Sequence, residues 1–238
     1  MDYHGGLDNY YNAKKNIIRF QNKTDTFVYN QKNEKLRKWV SDAKGGKIPF
    51  SGKIDIDNLK IPLLGHHNRE NIGAAIAVAR IFNISDEIIE KAIEKFRPLP
   101  HRLEFVGEFK NIKFYNDAIS TTPESTVMAI KSLKNVGTIF LGGEDRGYNF
   151  SQLEKTIKKY RIKNAVLFPN SGKRIFKSQK GLNILKTFSM EQAVKFAYRH
   201  TEKGKICLLS CASPSYSLWK NFEEKGDLFK RSVRKYSK

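Results

Sequence analysis

The feature that most constrains this chain is the regular alternation of strand-like and helix-like segments in its second half. Short apolar segments are separated there by longer segments whose apolar residues recur at helical spacing. The predicted strands are 104–109, 112–116, 138–141, 165–168, 184–187 and 206–209, and the predicted helices are 123–133, 151–160, 190–199 and 219–233. This alternation predicts an α/β fold in which helices cover both faces of a mostly parallel sheet.

The first part of the chain reads differently. Helices are predicted at 7–18, 31–40, 71–82 and, after the cap Ser85, up to Phe96; a strand is predicted at 26–30; and 47–64, with a turn at Asp57-Asn58, reads as β-rich. Arg97-Pro98-Leu99-Pro100 then breaks the pattern, because a proline pushes the residue before it toward extended geometry. We place a domain boundary here, between residues 1–98 and 99–238.

Composition excludes several classes of protein. The net charge of +20 comes from lysines and arginines spread along the 238 residues, which is typical of a solvated surface and does not indicate a specific nucleic-acid site. No apolar segment reaches about 18 residues, and the N-terminus lacks a secretory pattern. Two cysteines, Cys207 and Cys211, are too few for a disulfide framework, so packing is their expected role. A cytoplasmic protein without a membrane partner is expected.

Polar residues cluster at the carboxyl ends of the predicted strands, where open α/β sheets bind ligands. The four clusters are Asn116-Asp117, Gly142 to Gly147, Asn170-Ser171-Gly172 and Ser210 to Ser215. Glycines at 142 and 143 would let backbone N–H groups approach an anion, and the Arg146 guanidinium could pair with a carboxylate. Each cluster alone could be a simple turn, but four at one edge favour a ligand site.

Two further segments have a structural and a functional interpretation. His66 and His67 are neighbours on a helix and diverge by about 100 degrees, so a shared metal ion is not expected. Asn68 either caps the following helix or, with Asn71, hydrogen-bonds an adenine. His101-Arg102, at the domain boundary, either forms surface ion pairs or reaches a nucleotide.

Taken together, these motifs resemble the Mur ligase family, and within it the ligases that add D-glutamate. The motifs are Gly65-His66-x-Asn68-x-x-Asn71, Leu99-Pro100-His101-Arg102-x-Glu104, Tyr115-Asn116-Asp117, Leu141-Gly142-Gly143 and Lys220-Asn221-Phe222-Glu223-x-x-Gly226, in family order over nearly the whole chain. The last motif discriminates best between these ligases and their relatives. The resemblance implies a C-terminal Rossmann-like domain, preceded by the C-terminal remnant of a P-loop-type α/β central ligase domain.

The resemblance also implies a reaction and its participants. ATP phosphorylates the carboxylate of UDP-N-acetylmuramoyl-L-alanine, and the amine of D-glutamate attacks the acyl phosphate, a step in peptidoglycan synthesis. Carried over position by position, the nucleotide contacts are Asn68, Asn71, His101, Arg102 and Asp117, and the D-glutamate contacts are Thr121, Arg146, Ser215, Tyr216 and Phe222. The resemblance implies a monomer in the full-length family.

Lys14 carries a further expectation. Tyr10-x-x-Ala13-Lys14-x-x-Ile17 resembles the family segment whose lysine is carbamylated and helps to hold Mg²⁺. Without the resemblance, Lys14 would read as a solvated helix lysine.

The sequence also departs from the family. Ile119 stands where the family often has lysine, Arg146 where lysine is common, and Ala118 where serine is usual, while 211–214 alters the loop before Ser215. These differences affect the expected rate and affinity more than the substrate.

The largest departure is the absence of a G-x-x-x-x-G-K-[ST] loop, the cradle for ATP phosphates, from the 238 residues. Met1-Asp2-Tyr3-His4 resembles the interior of a family segment, so we expect a truncated gene, a fragment or an alternative start, and no ligation by this chain alone. The alternatives are a non-catalytic module that binds an amino acid or a nucleotide and, less favoured, a basic nucleic-acid-binding protein.

Overall fold

The computed structural model describes residues 5–56 and 59–238. The segment Met1 to His4 and the predicted turn at Asp57-Asn58 lie outside the described residues. The chain forms two compact units, Met1–Phe96 and Arg97–Lys238, which we call unit 1 and unit 2.

Unit 1 is an α/β unit built around a short parallel strand pair. Its elements are α1 (Leu7–Arg19), β1 (Thr26–Asn30), α2 (Glu34–Trp39), β2 (Gly46–Phe50), α3 (His66–Ile81) and α4 (Asp86–Lys95). Strands β1 and β2 pair in parallel, with Thr26 opposite Gly46. Two small apolar clusters hold the unit, one centred on Ile18 and Phe27 and one on Ile72, Ile76 and Ile89.

The predicted β-rich stretch 47–64 is mostly wrong. Only its first residues lie in a strand, since β2 ends at Phe50 and no strand is assigned to the described residues up to 64. The alternating Ile54, Ile56, Ile61 and Leu63 pack against the α3 and α4 cluster instead. The alternation of apolar residues here comes from packing of an irregular segment against a cluster. The spacing of apolar residues alone cannot distinguish such a segment from a strand. Helix α3 begins at His66, five residues before the predicted Asn71.

Unit 2 matches the predicted alternation closely. Its elements are β3 (Glu104–Phe109), β4 (Ile112–Asn116), α5 (Pro123–Leu133), β5 (Val136–Gly142), α6 (Ser151–Lys159), β6 (Asn164–Phe168), β7 (Asn183–Lys186), α7 (Met190–His200), β8 (Ile206–Leu209) and α8 (Phe222–Lys235). Helix α5 starts at a capping box between Thr122 and Ser125 with Pro123 in its first turn, where a missing N–H has no cost. Helix α8 was predicted from Trp219 and begins three residues later, at Phe222, after the cap Asn221.

The sheet of unit 2 is six-stranded in the order β3-β4-β8-β5-β6-β7. All neighbouring pairs are parallel except β3 with β4, so the prediction of a mostly parallel sheet is confirmed. One face packs on α5 and α6 through residues such as Ile130 and Ile157, and the other packs on α7 and α8 through residues such as Val194 and Phe229. The helices therefore lie on both faces, as the buried strands require.

The strand order creates a switch point at β4, β8 and β5. The chain crosses from β4 to β5 through α5, and it later returns through α7 to insert β8 between them. Helices α5 and α6, which follow β4 and β5, lie on one face of the sheet, and α8, which follows β8, lies on the other. The loops after these strands therefore diverge at the carboxyl edge, where this topology predicts a crevice. This crevice is where an open α/β sheet binds its ligand.

Within residues 5–56 and 59–238, no helix has the length and apolarity needed to cross a lipid bilayer.

Candidate functional site

The four polar loops of unit 2 meet at the carboxyl edge of the sheet, as the sequence predicted. The Asp117 N–H donates to the Leu209 carbonyl over 2.8 Å, which joins the loops after β4 and β8. The Glu144 N–H donates to the Pro214 carbonyl over 2.9 Å, and the Ser171 N–H donates to the Gly143 carbonyl over 2.9 Å. These bonds link the loop after β5 to the loops after β8 and β6.

Gly142 and Gly143 allow these loops to approach closely. Their φ angles are 103 and 152 degrees, and an added Cβ would lie 2.1 Å from the Phe168 carbonyl oxygen at Gly142 and 2.2 Å from the Pro214 carbonyl oxygen at Gly143. The expectation that both glycines offer N–H groups to an anion is wrong for Gly142, whose N–H donates to the Cys211 carbonyl over 2.8 Å. The glycines serve close packing of backbone against backbone.

Asp117 is the most strongly perturbed carboxyl group at this edge. It is buried, and it accepts hydrogen bonds from the Ser120 hydroxyl, from the Ser210 hydroxyl at 2.8 Å and from the Leu103 N–H at 3.2 Å. Burial raises the pKa of Asp117 to about 6, although these bonds and the Arg102 charge oppose the rise. A carboxylate has about four acceptor positions, so this one retains capacity for a ligand hydroxyl.

His101 lies in a buried hydrogen-bond network at the start of unit 2. The Asn116 side-chain amide donates to Glu104 at 2.9 Å and lies 3.0 Å from the His101 Nδ1. The backbone N–H of His101 donates to the Glu104 carboxylate at 2.9 Å, and the Lys230 ammonium lies 3.2 Å from the same carboxylate. Burial opposes ionisation of Glu104, but the His101 N–H and the Lys230 ammonium outweigh it and lower its pKa. Helix α8 thus contacts the loop that holds Arg102.

Gly226 explains why α8 can approach this network. A Cβ at Gly226 would lie 2.1 Å from the His101 Nδ1 and 2.9 Å from the Asn116 Nδ2. The His101 ring also meets the Phe222 ring edge-on, with centroids 5.8 Å apart. A residue expected to contact the nucleotide, His101, therefore touches one expected to contact D-glutamate, Phe222.

The other residues expected to bind D-glutamate lie in the loops at the same edge. Ser215 is buried in the loop after β8, next to the exposed Tyr216, and Thr121 lies half-buried before α5. Arg146 is exposed in the loop after β5, with its guanidinium 3.2 Å from the Glu144 carboxylate. Arg146 is therefore not committed to a buried partner.

Unit 1 carries the remaining predicted residues. Asn68 does not cap α3, as one interpretation held: the cap is Gly65, and Asn68 is the third helical residue. Its side-chain amide donates to the Leu64 carbonyl at 2.7 Å and accepts from the Asn71 amide at 3.2 Å. Asn68 is buried and Asn71 is exposed, so the Asn71 side chain is the one that a ligand in solution can contact.

Lys14 is exposed on α1, with its ammonium 5.5 Å from the centre of the Tyr10 ring. Among residues 5–56 and 59–238, no group of three or more His, Cys, Asp or Glu side chains is arranged to hold a metal ion. The described residues thus do not by themselves fit a Mg²⁺ site, and the role of Lys14 stays a prediction.

Reasoning from sequence missed the roles of Glu104, Lys225 and Gly226. Glu104 and Gly226 belong to the motifs given above, but nothing in the order of residues indicated that both adjoin His101. Lys225 is fully buried, yet it is one of 44 lysines and arginines in a basic chain. No pattern in the sequence separated it from the exposed ones.

The chain is similar in sequence to several known proteins. The family described as Mur ligase middle domain matches residues 1–57. The UDP-N-acetylmuramoylalanine–D-glutamate ligase of Ligilactobacillus salivarius is 35% identical over 99% of this chain and 56% of its own length. The ligase of the same name from Acetivibrio thermocellus is 34% identical over 98% of this chain and 57% of its own length. The chain thus spans somewhat more than half the length of these relatives.

Solved structures share the fold. MurF ligase from Thermotoga maritima, crystallised in complex with ADP, superposes on 98% of this chain and 59% of its own with a TM-score of 0.73 at 16% sequence identity. MurF from Acinetobacter baumannii superposes on 97% of this chain and 56% of its own with a TM-score of 0.74, also at 16% identity. Because sequence relatives and fold agree, the chain belongs to the Mur ligase family.

Proposed function

We propose that this chain supplies the nucleotide and amino-acid contacts of a UDP-N-acetylmuramoylalanine–D-glutamate ligase acting in the cytoplasm. The observation that carries the proposal is the meeting of His101, Asp117 and Phe222 at one edge of the unit 2 sheet. Asp117 accepts three hydrogen bonds and retains acceptor capacity for a ribose hydroxyl. His101 and Arg102 lie on the loop that Asp117 holds through the Leu103 N–H.

The proposed reaction has two steps. The γ-phosphoryl group of ATP passes to the carboxylate of UDP-N-acetylmuramoyl-L-alanine, which releases ADP and gives an acyl phosphate. The unprotonated amine of D-glutamate attacks the acyl carbon, the C–O bond to phosphate breaks, the nitrogen releases one proton, and an amide forms. Both steps develop negative charge on oxygen, and they require that the nucleotide and the amino acid be held close together.

In this proposal the loops after β4, β5 and β8 hold D-glutamate. The Arg146 guanidinium pairs with one carboxylate, and the Thr121 and Ser215 hydroxyls donate hydrogen bonds. Backbone N–H groups of Tyr216 and Phe222 add donors, the latter in the first turn of α8, where helix N–H groups lack intrahelical acceptors. In unit 1, Asn71 provides the adenine contact and Asn68 fixes its amide.

Lys14 would contribute to Mg²⁺ binding only as a carbamate with ligands from outside the described residues. No step of the reaction is assigned to it.

The proposal is tested by calorimetric titration of the full chain with ADP and with D-glutamate. We expect both to bind, Asp117→Ala to weaken ADP binding, and Arg146→Met to weaken D-glutamate binding without affecting ADP. GDP and L-glutamate serve as controls for base and for configuration. No heat from either ligand at millimolar concentration would contradict the proposal.

A non-catalytic binding module is the second candidate, and the absence of a phosphate loop from the 238 residues favours it. Phosphate release from ATP, with D-glutamate and UDP-N-acetylmuramoyl-L-alanine present, separates the two. We expect no turnover by this chain alone. Turnover by the chain alone would exclude the module.

A further inference from the structure

Lys225 is a fully buried lysine in the first half of α8. Within the described part of the chain, its ammonium nitrogen has no oxygen or nitrogen acceptor, and the Cys211 thiol, a weak acceptor, is the group it acts on. Lysines normally extend their charged end into water while burying the stem. Burying an ammonium without a partner costs free energy, so a fold keeps such a group where an anion can compensate it.

The surroundings of this ammonium place it beneath the loop after β8. It lies 5.9 Å from the centre of the Trp219 ring, and it acts on the Cys211 thiol, the second residue after β8. The Trp219 N–H in turn donates to the Ser215 carbonyl at 3.1 Å. The Ser215 hydroxyl is also buried without a hydrogen-bond partner among the described residues. Two unsatisfied polar groups therefore adjoin the same loop.

The protein groups nearby do not neutralise Lys225. Burial raises the pKa of the Cys211 thiol, and the opposing Lys225 charge does not reverse the rise, so the thiol is neutral near pH 7. The carboxylate that also acts on this thiol is Asp117, whose hydrogen bonds come from Ser120, Ser210 and Leu103 and not from Lys225. Glu223 and Glu224, in the first turn of α8, have exposed side chains. The described residues therefore leave the Lys225 ammonium without a hydrogen-bonded anion.

We propose that Lys225 is the second cation of the acidic amino-acid site and selects a dicarboxylate over its neutral amide. The inference rests on the proposed function, in which Arg146 pairs with one carboxylate of D-glutamate and leaves the other without a cation. The Lys225 ammonium is not accessible to solvent. It therefore attracts the second carboxylate electrostatically from below the loop that carries Ser215. Little water screens a charge in that position. Lys225 is thus a specificity-determining residue.

The test compares Lys225→Met with Arg231→Met in the full chain. Arg231 is exposed on the same helix, so both variants lose one positive charge from α8. D-glutamate and D-glutamine are titrated in the presence of ADP. We expect Lys225→Met to weaken D-glutamate binding by about 10- to 100-fold, to leave D-glutamine and ADP binding unchanged, and to remove the preference for the acid. Arg231→Met keeps the wild-type preference.

A stability measurement distinguishes a structural role of Lys225 from its proposed role in ligand selection. Replacing an unpaired buried charge by an apolar side chain is expected to leave the urea midpoint of the ligand-free chain unchanged or higher. A midpoint well below that of Arg231→Met would overturn the inference. If Lys225→Met does not unfold cooperatively, Lys225→Gln, which lacks the charge, takes its place in the titrations.

The outcomes distinguish this inference from the proposed function. If wild type and Lys225→Met bind D-glutamate equally, Lys225 has no such role and the proposed function stands. If wild type binds ADP but neither acid nor amide, both the inference and the D-glutamate assignment fail. An equal loss of D-glutamate and D-glutamine binding also contradicts the inference, because it indicates a loss of shape, not of charge.

Discussion

Gly226→Ala is the substitution whose effect the structure specifies most closely. In a helix interior an alanine ordinarily stabilises relative to glycine by about 1 kcal/mol. At Gly226 the new Cβ would lie 2.1 Å from the His101 Nδ1, 2.8 Å from its Cε1 and 2.9 Å from the Asn116 Nδ2. All three contacts are shorter than carbon and nitrogen atoms tolerate, so either the His101 ring or α8 must move.

The expected magnitude follows from the two opposing effects. Overpacking of a dense core costs about 1–3 kcal/mol. If the ring moves, the contact between His101 and Asn116 at 3.0 Å is lost as well, and a buried polar group left without its partner costs a further 1–3 kcal/mol or so. Against the gain in helix propensity, we expect Gly226→Ala to lower the free energy of unfolding of unit 2 by about 1–4 kcal/mol.

Urea denaturation followed by Trp219 fluorescence reports on the unfolding of unit 2, provided that the fluorescence of the other tryptophan is removed. The chain has two tryptophans, Trp39 and Trp219, so the measurement is made in a Trp39→Phe background. Arg231→Ala, an exposed change on α8, is the control and should leave the midpoint nearly unchanged. ADP binding by Gly226→Ala should be weakened, since His101 is displaced. Equal or greater stability than the control would refute the packing argument.

Two further predictions concern titratable groups of unit 2. Because burial raises the pKa of Asp117 from 3.8 to about 6, the folded state binds this proton more tightly than the unfolded state, and unit 2 loses stability as the pH rises from about 4 to about 6. Asp117→Asn should remove roughly 3 kcal/mol of that pH dependence, measured by urea denaturation between pH 4 and about 7; an unchanged slope would show that Asp117 is not responsible. Cys207 and Cys211 are buried with raised thiol pKa values, so a thiol reagent should label them slowly in the native chain and rapidly in urea; fast native labelling of both would contradict their burial.

The sequence predicted unit 2 better than unit 1 for a physical reason. In unit 2 the inner strands β5, β6 and β8 are buried on both faces, so their apolar runs are uninterrupted and bounded by turns. The elements β3, β4, α5 and β8 have the predicted limits. In unit 1, Ile54, Ile56, Ile61 and Leu63 pack on the α3 and α4 cluster, although the described residues between β2 and α3 form no strand. Period-two spacing also occurs in the true strand β4, so only the hydrogen bonds distinguish the two cases.

The site shows a similar division. Residues that follow strands, such as Asp117 and Ser215, could be placed from sequence, because the carboxyl ends of parallel strands share an edge. The roles of Glu104 and Lys225 could not, because they depend on contacts between α8 and segments far away in the sequence. The N–H of Gly142 was assigned to an anion from its residue type, but the neighbouring Cys211 carbonyl accepts it.

Helix α8 gives a physical reason why the most discriminating motif lies at this point of the chain. Its first turn holds Phe222, Gly226 lets the helix meet His101, and Lys230 binds Glu104. A shift of this helix would therefore move a proposed amino-acid contact, Phe222, and a proposed nucleotide contact, His101, together. If nucleotide and amino acid each stabilise this arrangement, each must raise the affinity for the other by the same factor. Gly226→Ala should reduce that factor as well as both affinities, whereas Arg146→Met should weaken D-glutamate binding alone. Helix α8 is thus the element through which this fold could couple the binding of the two proposed ligands.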